Sequence, residues 1–263
     1  QLKYDIYSSA KSASYPNKVS EGLYIKKAYS DSVRNWITTH GIHKKKEYRY
    51  SDLGYYFYKD IIEKISGTSL DVISDSLFYK PLGASKLTYK PLEKFSKDVI
   101  VPTENDMHFR KKLVHGTVHD PGAAMLGGVA GHAGLFSNAN DLAKLFQMYL
   151  NNGSYGGERY IDSAVVADFT RIQFKEEDNR RGAGFDKPSE TDYGPTCSCV
   201  SYSSFGHSGF TGTLVWADPE KEIVYIFLSN RVYPDAENKK LIRMNIRTDI
   251  MQVIYDAMEN QLQ

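Results

Sequence analysis

Three short stretches of this 263-residue sequence set reactive side chains beside glycines or at the start of an apolar run. Tyr50-Ser51-Asp52 precedes a helical pattern, residues 127–134 read Gly-Gly-Val-Ala-Gly-His-Ala-Gly around His132, and Phe205-Gly206-His207-Ser208-Gly209-Phe210 opens a β-rich segment. A histidine among small residues, with glycines that let a ligand or another backbone come close, marks a strand whose beginning lines a site. Taken singly, His207 is equally an ordinary histidine at a strand start, and Tyr50 is one of 20 tyrosines, most of which serve packing. The patterns around them carry the functional reading.

A second constellation has the residue types of a metal site. His108, His115, His119, Asp120 and His132 fall within 25 positions, and His115 and His119 have the i, i+4 spacing of helical zinc ligands, so a metallohydrolase is one alternative. Against it, Gly116, Thr117 and Val118 are poor helix formers, and no Glu follows His115. Cys197 and Cys199 are too few for a structural zinc site; one residue apart in a strand they would point to one face, and they are expected as buried free thiols. Residues 127–134 lack the preceding strand and closing Lys-Ser/Thr of a phosphate cradle. No metal and no cofactor is implied.

The elements that must position these groups follow from periodicity. Residues 1–29, rich in Ser, Tyr and Lys, read as an extended surface segment. Ser30 begins a short helix carrying Val33, Trp36 and Ile37 that stops at Gly41. Over 52–66, Leu53, Phe57, Ile61 and Ile65 step by four until Gly67, and Leu70, Ile73 and Leu77 carry the next helix until Pro81. Residues 81–136 read as mostly irregular, a length of connection that is usually functional. Ser137 and Asp162 are expected to cap two further helices. Strand-like pieces follow near 182–185 and 196–203, then an antiparallel hairpin turning at Asp218-Pro219-Glu220-Lys221 into Ile223-Val224-Tyr225-Ile226-Phe227-Leu228. A final helix over about 238–259, with Ile242, Ile246, Ile250, Val253, Ile254 and Ala257 in a stripe, suits one face of that sheet. The fold class is α+β, divided as an extended segment 1–20, a mainly helical part 21–170 with long loops, and sheet strands plus covering helix over 171–263.

Composition excludes several partners. Hydrophobic residues make up 41% and charged residues 25%, enough for a substantial core, and the net charge of +1 with interspersed signs offers no field for nucleic acid or an anionic membrane. No run approaches the ~20 apolar residues of a membrane-spanning helix, so no transmembrane segment is expected.

With these motifs in hand, the chain resembles the serine β-lactamase and penicillin-binding-protein superfamily, closest to its class C-related esterase and DD-peptidase branch. Tyr50-Ser51-Asp52 matches the Tyr-x-Asn mark with Asp in place of Asn, and His207-Ser208-Gly209 matches the third mark in its His-x-Gly form. Pro81-Leu82-Gly83, Val118-His119-Asp120 and Gly131-His132-Ala133-Gly134-Leu135-Phe136-Ser137 also fit, so the likeness covers about 21–259. More narrowly the chain is similar to the module fused behind bacterial β-N-acetylglucosaminidases. The resemblance implies a β-lactamase/transpeptidase-like antiparallel sheet flanked by helices, an acyl-enzyme mechanism on cell-wall peptide, β-lactam or ester, and a place in the periplasm or cell envelope. It gives Tyr50 the general-base role and Asp52 a place beside the substrate amide, without the amide donor Asn would supply. The His207 strand would run along the substrate, with Ser208, Gly209 and the Phe210 N–H forming its substrate and oxyanion side, and His207 touching a substrate carboxylate or hydroxyl.

The family's nucleophile is a Ser-x-x-Lys serine on a helix. Ser8-Ser9-Ala10-Lys11 has the spacing but no apolar stripe after it, and Pro16 follows within five residues, so it reads as chance. The nucleophile helix and first sheet strands are therefore expected upstream of Gln1, about 90 residues before Tyr50 for the serine. On that reading the chain is a carboxyl-terminal part that is inactive alone, with a sheet of three to four strands whose unpaired edge invites self-association. A non-catalytic peptidoglycan-binding module is the other alternative. Tyr50 and His207 are expected within about 10 Å of each other, a span one substrate group bridges.

Overall fold

In the computed structural model, which describes residues 5–41, 45, 48–175, 179–189 and 194–260, the first stretch is a sheet rather than a surface loop. Strands β1 (Tyr7–Ser8), β2 (Asn17–Ser20) and β3 (Leu23–Ile25) pair antiparallel in the order β1-β3-β2. Val19, Leu23 and Ile25 are buried with Val118, Ala123, Ala124 and Ala130, forming a core. Leu23 and Ile25 point in while Tyr24 is less buried, the period of two that a strand requires. Three residues are too short a window for that alternation to stand out from a Ser- and Lys-rich background.

Two compact units are present. One comprises 1–76, 87–136 and 232–236; the other comprises 77–86, 137–231 and 237–263. In the first, α1 (Lys27–Thr39) and α2 (Leu53–Ser66) are joined by a forked Arg34–Asp60 ion pair. Gly67 ends α2 in the left-handed conformation, with its N–H on the Glu63 carbonyl, as the sequence predicts. The stripe of α2 does not face a core: Leu53, Ile61 and Ile65 are 45, 50 and 82% exposed. Periodicity identified the helix, but burial of that face is absent among the described residues.

Helix α3 (Leu70–Ser74) runs into a π-helical turn over Asp75–Tyr79 and ends before Pro81. The stretch 81–136 is less irregular than its composition implies. It holds the hairpin β4 (Pro102–Asp106) and β5 (Lys112–His115) and the short helix α4 (Pro121–Met125). The hairpin is organised by Arg110, fully buried at its side chain, which pairs with Glu104 and Asp106 and donates to the carbonyls of Val118 and His119 at 2.7 Å. A polar residue at the centre of a hairpin carries no hydrophobic periodicity, which is why the pattern concealed it.

The second unit begins with α5 (Ala139–Leu150), capped by Asn138 rather than by Ser137. The small hairpin β6 (Ser154–Tyr155) and β7 (Glu158–Arg159) follows, then α6 (Ser163–Thr170), whose cap Asp162 accepts from the Ala164 N–H as expected. Its sheet consists of β8 (Phe205–Ser208), β9 (Leu214–Asp218) and β10 (Ile223–Phe227), antiparallel in the order β10-β9-β8. Leu214, Trp216 and Tyr225 pack on one face with Met251 and Tyr255, while Phe205 and Ala217, with Val215 and Val224, pack on the other against Phe146. Apolar contact on both faces accounts for the unbroken apolar run.

After α7 (Lys240–Arg243), α8 (Ile246–Asn260) covers the first of those faces with only part of the expected stripe. Met251, Ile254 and Tyr255 meet the sheet, while Ile242, Ile250 and Val253 are exposed. On that face the Tyr255 hydroxyl also donates to the Asp218 carboxylate at 2.9 Å. The expected strands near 182–185 and 196–203 are irregular chain, and an isolated bridge joins Asp186 to Gly206 beside them. There the free-thiol expectation also fails. Cys197 and Cys199 are joined by a disulfide across a turn with their Cα atoms 5.2 Å apart, a geometry that an extended strand would not provide.

Asp218, entirely buried, collects five donors: the Ser201 N–H and hydroxyl, the Glu220 and Lys221 N–H groups of the turn, and Tyr255. Burial alone would raise its carboxyl, but these hydrogen bonds hold it below the ordinary carboxylate range. A depressed carboxyl gives stability that is full above its unfolded value of about 4 and is lost as pH falls through the folded one. Asp218→Ala should therefore lose about 2–4 kcal/mol at pH 7 by orphaning buried donors, and less at pH 2. Urea unfolding at the two pH values checks this; equal losses would contradict it.

Candidate active site

The first unit carries Tyr50 and Asp52. Tyr50 lies two residues before Asp52, with its side chain exposed (58%). Ser51 turns the chain into α2 by accepting the Leu53 N–H at 3.2 Å, and Asp52 occupies the cap position without using its carboxylate as the cap. The start of α2 is braced from the glycine-rich stretch. His132 donates through Nε2 to Asp120 at 2.9 Å, and its ring stacks on Tyr56 at 4.4 Å between centroids. Asp120 also caps α4 through the Ala123 N–H at 2.7 Å. Gly131 lies so close to the Tyr55 carbonyl that a Cβ there would overlap it.

Tyr56 is pushed up to about 12, first by burial and then by the carboxylates of Asp120 and Asp52, so it remains a neutral, stacking phenol. Burial would raise Asp120, but the hydrogen bonds from His132 and the Ala123 N–H leave it lowered, an ionised partner for the imidazole. Sequence reasoning missed the Tyr56, Asp120 and His132 brace. The available signal was the proximity of Asp120 and His132 in the sequence, which suggested metal ligands rather than a pair with each other.

The same geometry disposes of the helical zinc pair. His115 ends strand β5 and its Nε2 meets the Ile100 carbonyl, while His119 lies 3.5 Å from Glu104. Among the described residues no group of three or more His, Cys, Asp or Glu side chains could hold a metal ion. A cavity of about 370 Å³ in this unit, lined in part by Lys59, Glu63, Asp71, Lys90 and Thr117, does not include Tyr50 or Asp52 in its wall.

The second unit carries His207, Ser208, Gly209 and Phe210. Gly206 sits where a Cβ would collide with the Val215 carbonyl and Trp216, so only glycine lets β8 approach β9. Gly206 exchanges both backbone bonds with Asp186, at 2.7 and 3.1 Å. By alternation the N–H and C=O of Ser208 point to the same outer edge of β8. Beyond it, the Gly209 N–H donates to the Thr213 carbonyl at 2.8 Å and the Gly212 N–H returns to Gly209 at 3.0 Å, closing a tight turn around Phe210. The Phe210 ring is exposed under the Arg231 guanidinium, 4.6 Å from its centroid. Both ring nitrogens of His207 are engaged: Nε2 by Arg181 at 2.8 Å and Nδ1 by the Ser208 carbonyl at 2.7 Å. Arg181 is the neighbour that sequence reasoning missed, standing 26 positions before the histidine.

Ser8 lies in β1, paired with Tyr24, with its hydroxyl on the Ala10 carbonyl. Ser8-x-x-Lys11 thus has the spacing but not the helix on which a lysine one turn later would reach the serine.

The family model described as Beta-lactamase matches residues 13–246. The chain belongs to the beta-lactamase family. A Salmonella gallinarum protein named “Putative D-alanyl-D-alanine carboxypeptidase” is 34% identical over 241 residues, covering 86% of this chain and 55% of that protein. The chain thus spans about half the length of the curated relatives it matches. Among solved structures, a beta-lactamase from Mycobacterium bovis aligns with a TM-score of 0.53 and 20% identity over 80% of this chain and 65% of its own. A simvastatin synthase from Aspergillus terreus aligns with a TM-score of 0.54 and 16% identity, over 78% and 54%. These likenesses establish the β-lactamase fold, mixed helices and antiparallel sheets, as the sequence motifs imply. Among the described residues no helix is long and apolar enough to cross a membrane.

Proposed function

We propose that this chain supplies the proton-transferring tyrosine and the substrate-lining strand of a serine acyl-transfer site. The observation that carries the reading is the placement of His207-Ser208-Gly209 on the outer edge of β8, with the Ser208 backbone groups turned outward, in a member of the beta-lactamase family. Extended substrate pairs with such an edge, and the backbone N–H of Phe210 in the following turn is the donor type an oxyanion needs. Tyr50 takes the proton of the attacking serine and returns it to the leaving group, and Asp52 lies beside the substrate. The nucleophile in this proposal belongs to a Ser-x-x-Lys segment outside residues 1–263.

The substrate is a cell-wall peptide ending in D-alanyl-D-alanine, the class that the carboxypeptidase name of the Salmonella relative supports, with β-lactams and simple esters as alternatives and the cell envelope as the place of action. Turnover of a D-Ala-D-Ala peptide, a chromogenic cephalosporin and a p-nitrophenyl ester by the longer protein tests this. The peptide should be released as free D-alanine; turnover of the ester alone would make the protein an esterase. For residues 1–263 taken alone we propose that the β10 edge pairs with a second copy, which sedimentation equilibrium would reveal as a dimer; a monomer at all concentrations would contradict it.

A further inference from the structure

Helix α2 follows directly on Tyr50 and Asp52, yet no residue of the helix is buried. A helix usually takes its place from an apolar face pressed on a core, so α2 must be placed by specific contacts instead. Its far half has two: Asp60 holds the Arg34 guanidinium of α1, and Glu63 accepts the Leu70 N–H at 2.9 Å. The first turn is held from residues 120–132. Gly131 lies against the Tyr55 carbonyl, Gly122 against the Tyr56 hydroxyl, and the His132 ring lies over the Tyr56 ring with 15° between their planes.

His132 joins these elements through one edge and one face. Its side chain is 2% exposed, Nε2 donates to Asp120 Oδ1 at 2.9 Å, and Nδ1 is buried with no hydrogen-bond partner among the described residues. An unpaired buried polar atom costs about 1–3 kcal/mol, so what the imidazole contributes comes from its Nε2 edge and its ring face. Asp120 Oδ1 also accepts the Ala123 N–H at 2.7 Å. One oxygen thus ties the ring to the start of α4, and the ring face carries that placement to Tyr56 and the turn that follows Asp52.

We propose that His132 is a positioning residue: through Asp120 on one side and the Tyr56 ring on the other it fixes the head of α2, and with it the place from which Tyr50 acts on a bound acyl group. The kinetic half rests on the acyl-transfer reading above; the structural half does not.

The first test is amide hydrogen exchange in the 263-residue chain, followed by NMR. His132→Ala should speed exchange of the Phe57 and Tyr58 amides by about 10-fold or more, while the amides of residues 62–66 and of the β4–β5 hairpin change less than about threefold. Asp120→Asn should exchange like the unaltered chain, because its amide oxygen can accept both bonds that Oδ1 accepts. Should His132→Ala not fold, His132→Gln gives the same comparison: it keeps a donor for Asp120 and loses the ring face. Equal acceleration throughout the unit, no change at the head of α2, or acceleration there in Asp120→Asn would overturn the structural claim.

The second test uses a protein joining these residues to the proposed Ser-x-x-Lys segment, with an activated ester as substrate. His132→Ala should lower kcat by about 10-fold or more, as misplacement of a reacting group does, with KM changed less than about threefold. Because His132 acts through Tyr50, the same substitution made in Tyr50→Phe should cost less than about threefold further. Losses that multiply in the double variant, or a loss confined to KM, would overturn the kinetic claim. If the unaltered protein turns over no ester, the acyl-transfer reading is overturned together with the kinetic claim, and the exchange result stands by itself.

Discussion

Tyr50→Phe should slow acyl transfer by the longer protein by about 100-fold or more, the loss expected when a general base is removed. The substitution deletes one oxygen from a side chain that is 58% exposed and lies before the first turn of α2, so the fold should tolerate it. The nearby Tyr56 cannot take over, because burial and two carboxylates keep its phenol protonated and its ring is committed to His132. The loss should fall on kcat as well as kcat/KM, since a base acts on the bound substrate. Steady-state hydrolysis of an ester with an activated leaving group, compared with a poor one, provides a further check. The activated ester needs less proton return and should lose less. Unchanged turnover with both would remove Tyr50 from the mechanism.

The largest expected effect on stability lies at Arg110. Its guanidinium is fully buried, paired with Glu104 and Asp106, and donates to two carbonyls. Breaking such a pair by removing one partner costs about 3–5 kcal/mol, because the other charges remain buried. Arg110→Met should lose that much from the unit containing β4 and β5. The loss should shrink at low pH. Burial would raise the Asp106 carboxyl, but the hydrogen bonds from the Arg110 side chain and from the N–H groups of Arg110, Phe109 and His108 hold it down at about 2. A carboxyl lowered on folding contributes stability that is full above about pH 4 and disappears as pH falls through 2. Urea unfolding of Arg110→Met beside the unaltered chain at pH 7 and pH 2.5 measures both. A loss under 1 kcal/mol at pH 7 would show that the network contributes little.

Which parts of the molecule were legible in the sequence follows from what periodicity measures. The helix over 53–66 and the β9–β10 hairpin were legible because their apolar residues recur with the right step, and the turn at Asp218 because its chemistry is local. The sheet of β1, β2 and β3 was not, since strands of two to four residues hold too few side chains for alternation to register. The facing of α8 was only partly legible, because Met251 and Tyr255, the latter with a hydroxyl on Asp218, take the buried side while Ile250 and Val253 of the stripe are exposed. Cys197 and Cys199 were misread for a related reason: the strand expected there is a turn.

The candidate site divides in the same way. The motif residues are local and could be named from the sequence, together with the family they imply. Their supports could not: Arg181 beside His207, and the Tyr56, His132 and Asp120 brace at α2, join positions far apart in the chain through single polar contacts. Such contacts leave no repeating mark.

The central claim is that these residues serve an acyl-enzyme, and covalent labelling addresses it most directly. A protein joining these residues to the proposed Ser-x-x-Lys segment should be incubated with a fluorescent penicillin and the adduct mapped by peptide mass spectrometry, with Tyr50→Phe and residues 1–263 alone run in parallel. The account predicts one acyl group on a Ser-x-x-Lys serine outside residues 1–263, slower labelling in Tyr50→Phe, and no label on Ser8 in the 263-residue chain. No adduct on the longer protein with penicillin or with an activated ester, or an adduct on Ser8, would contradict it.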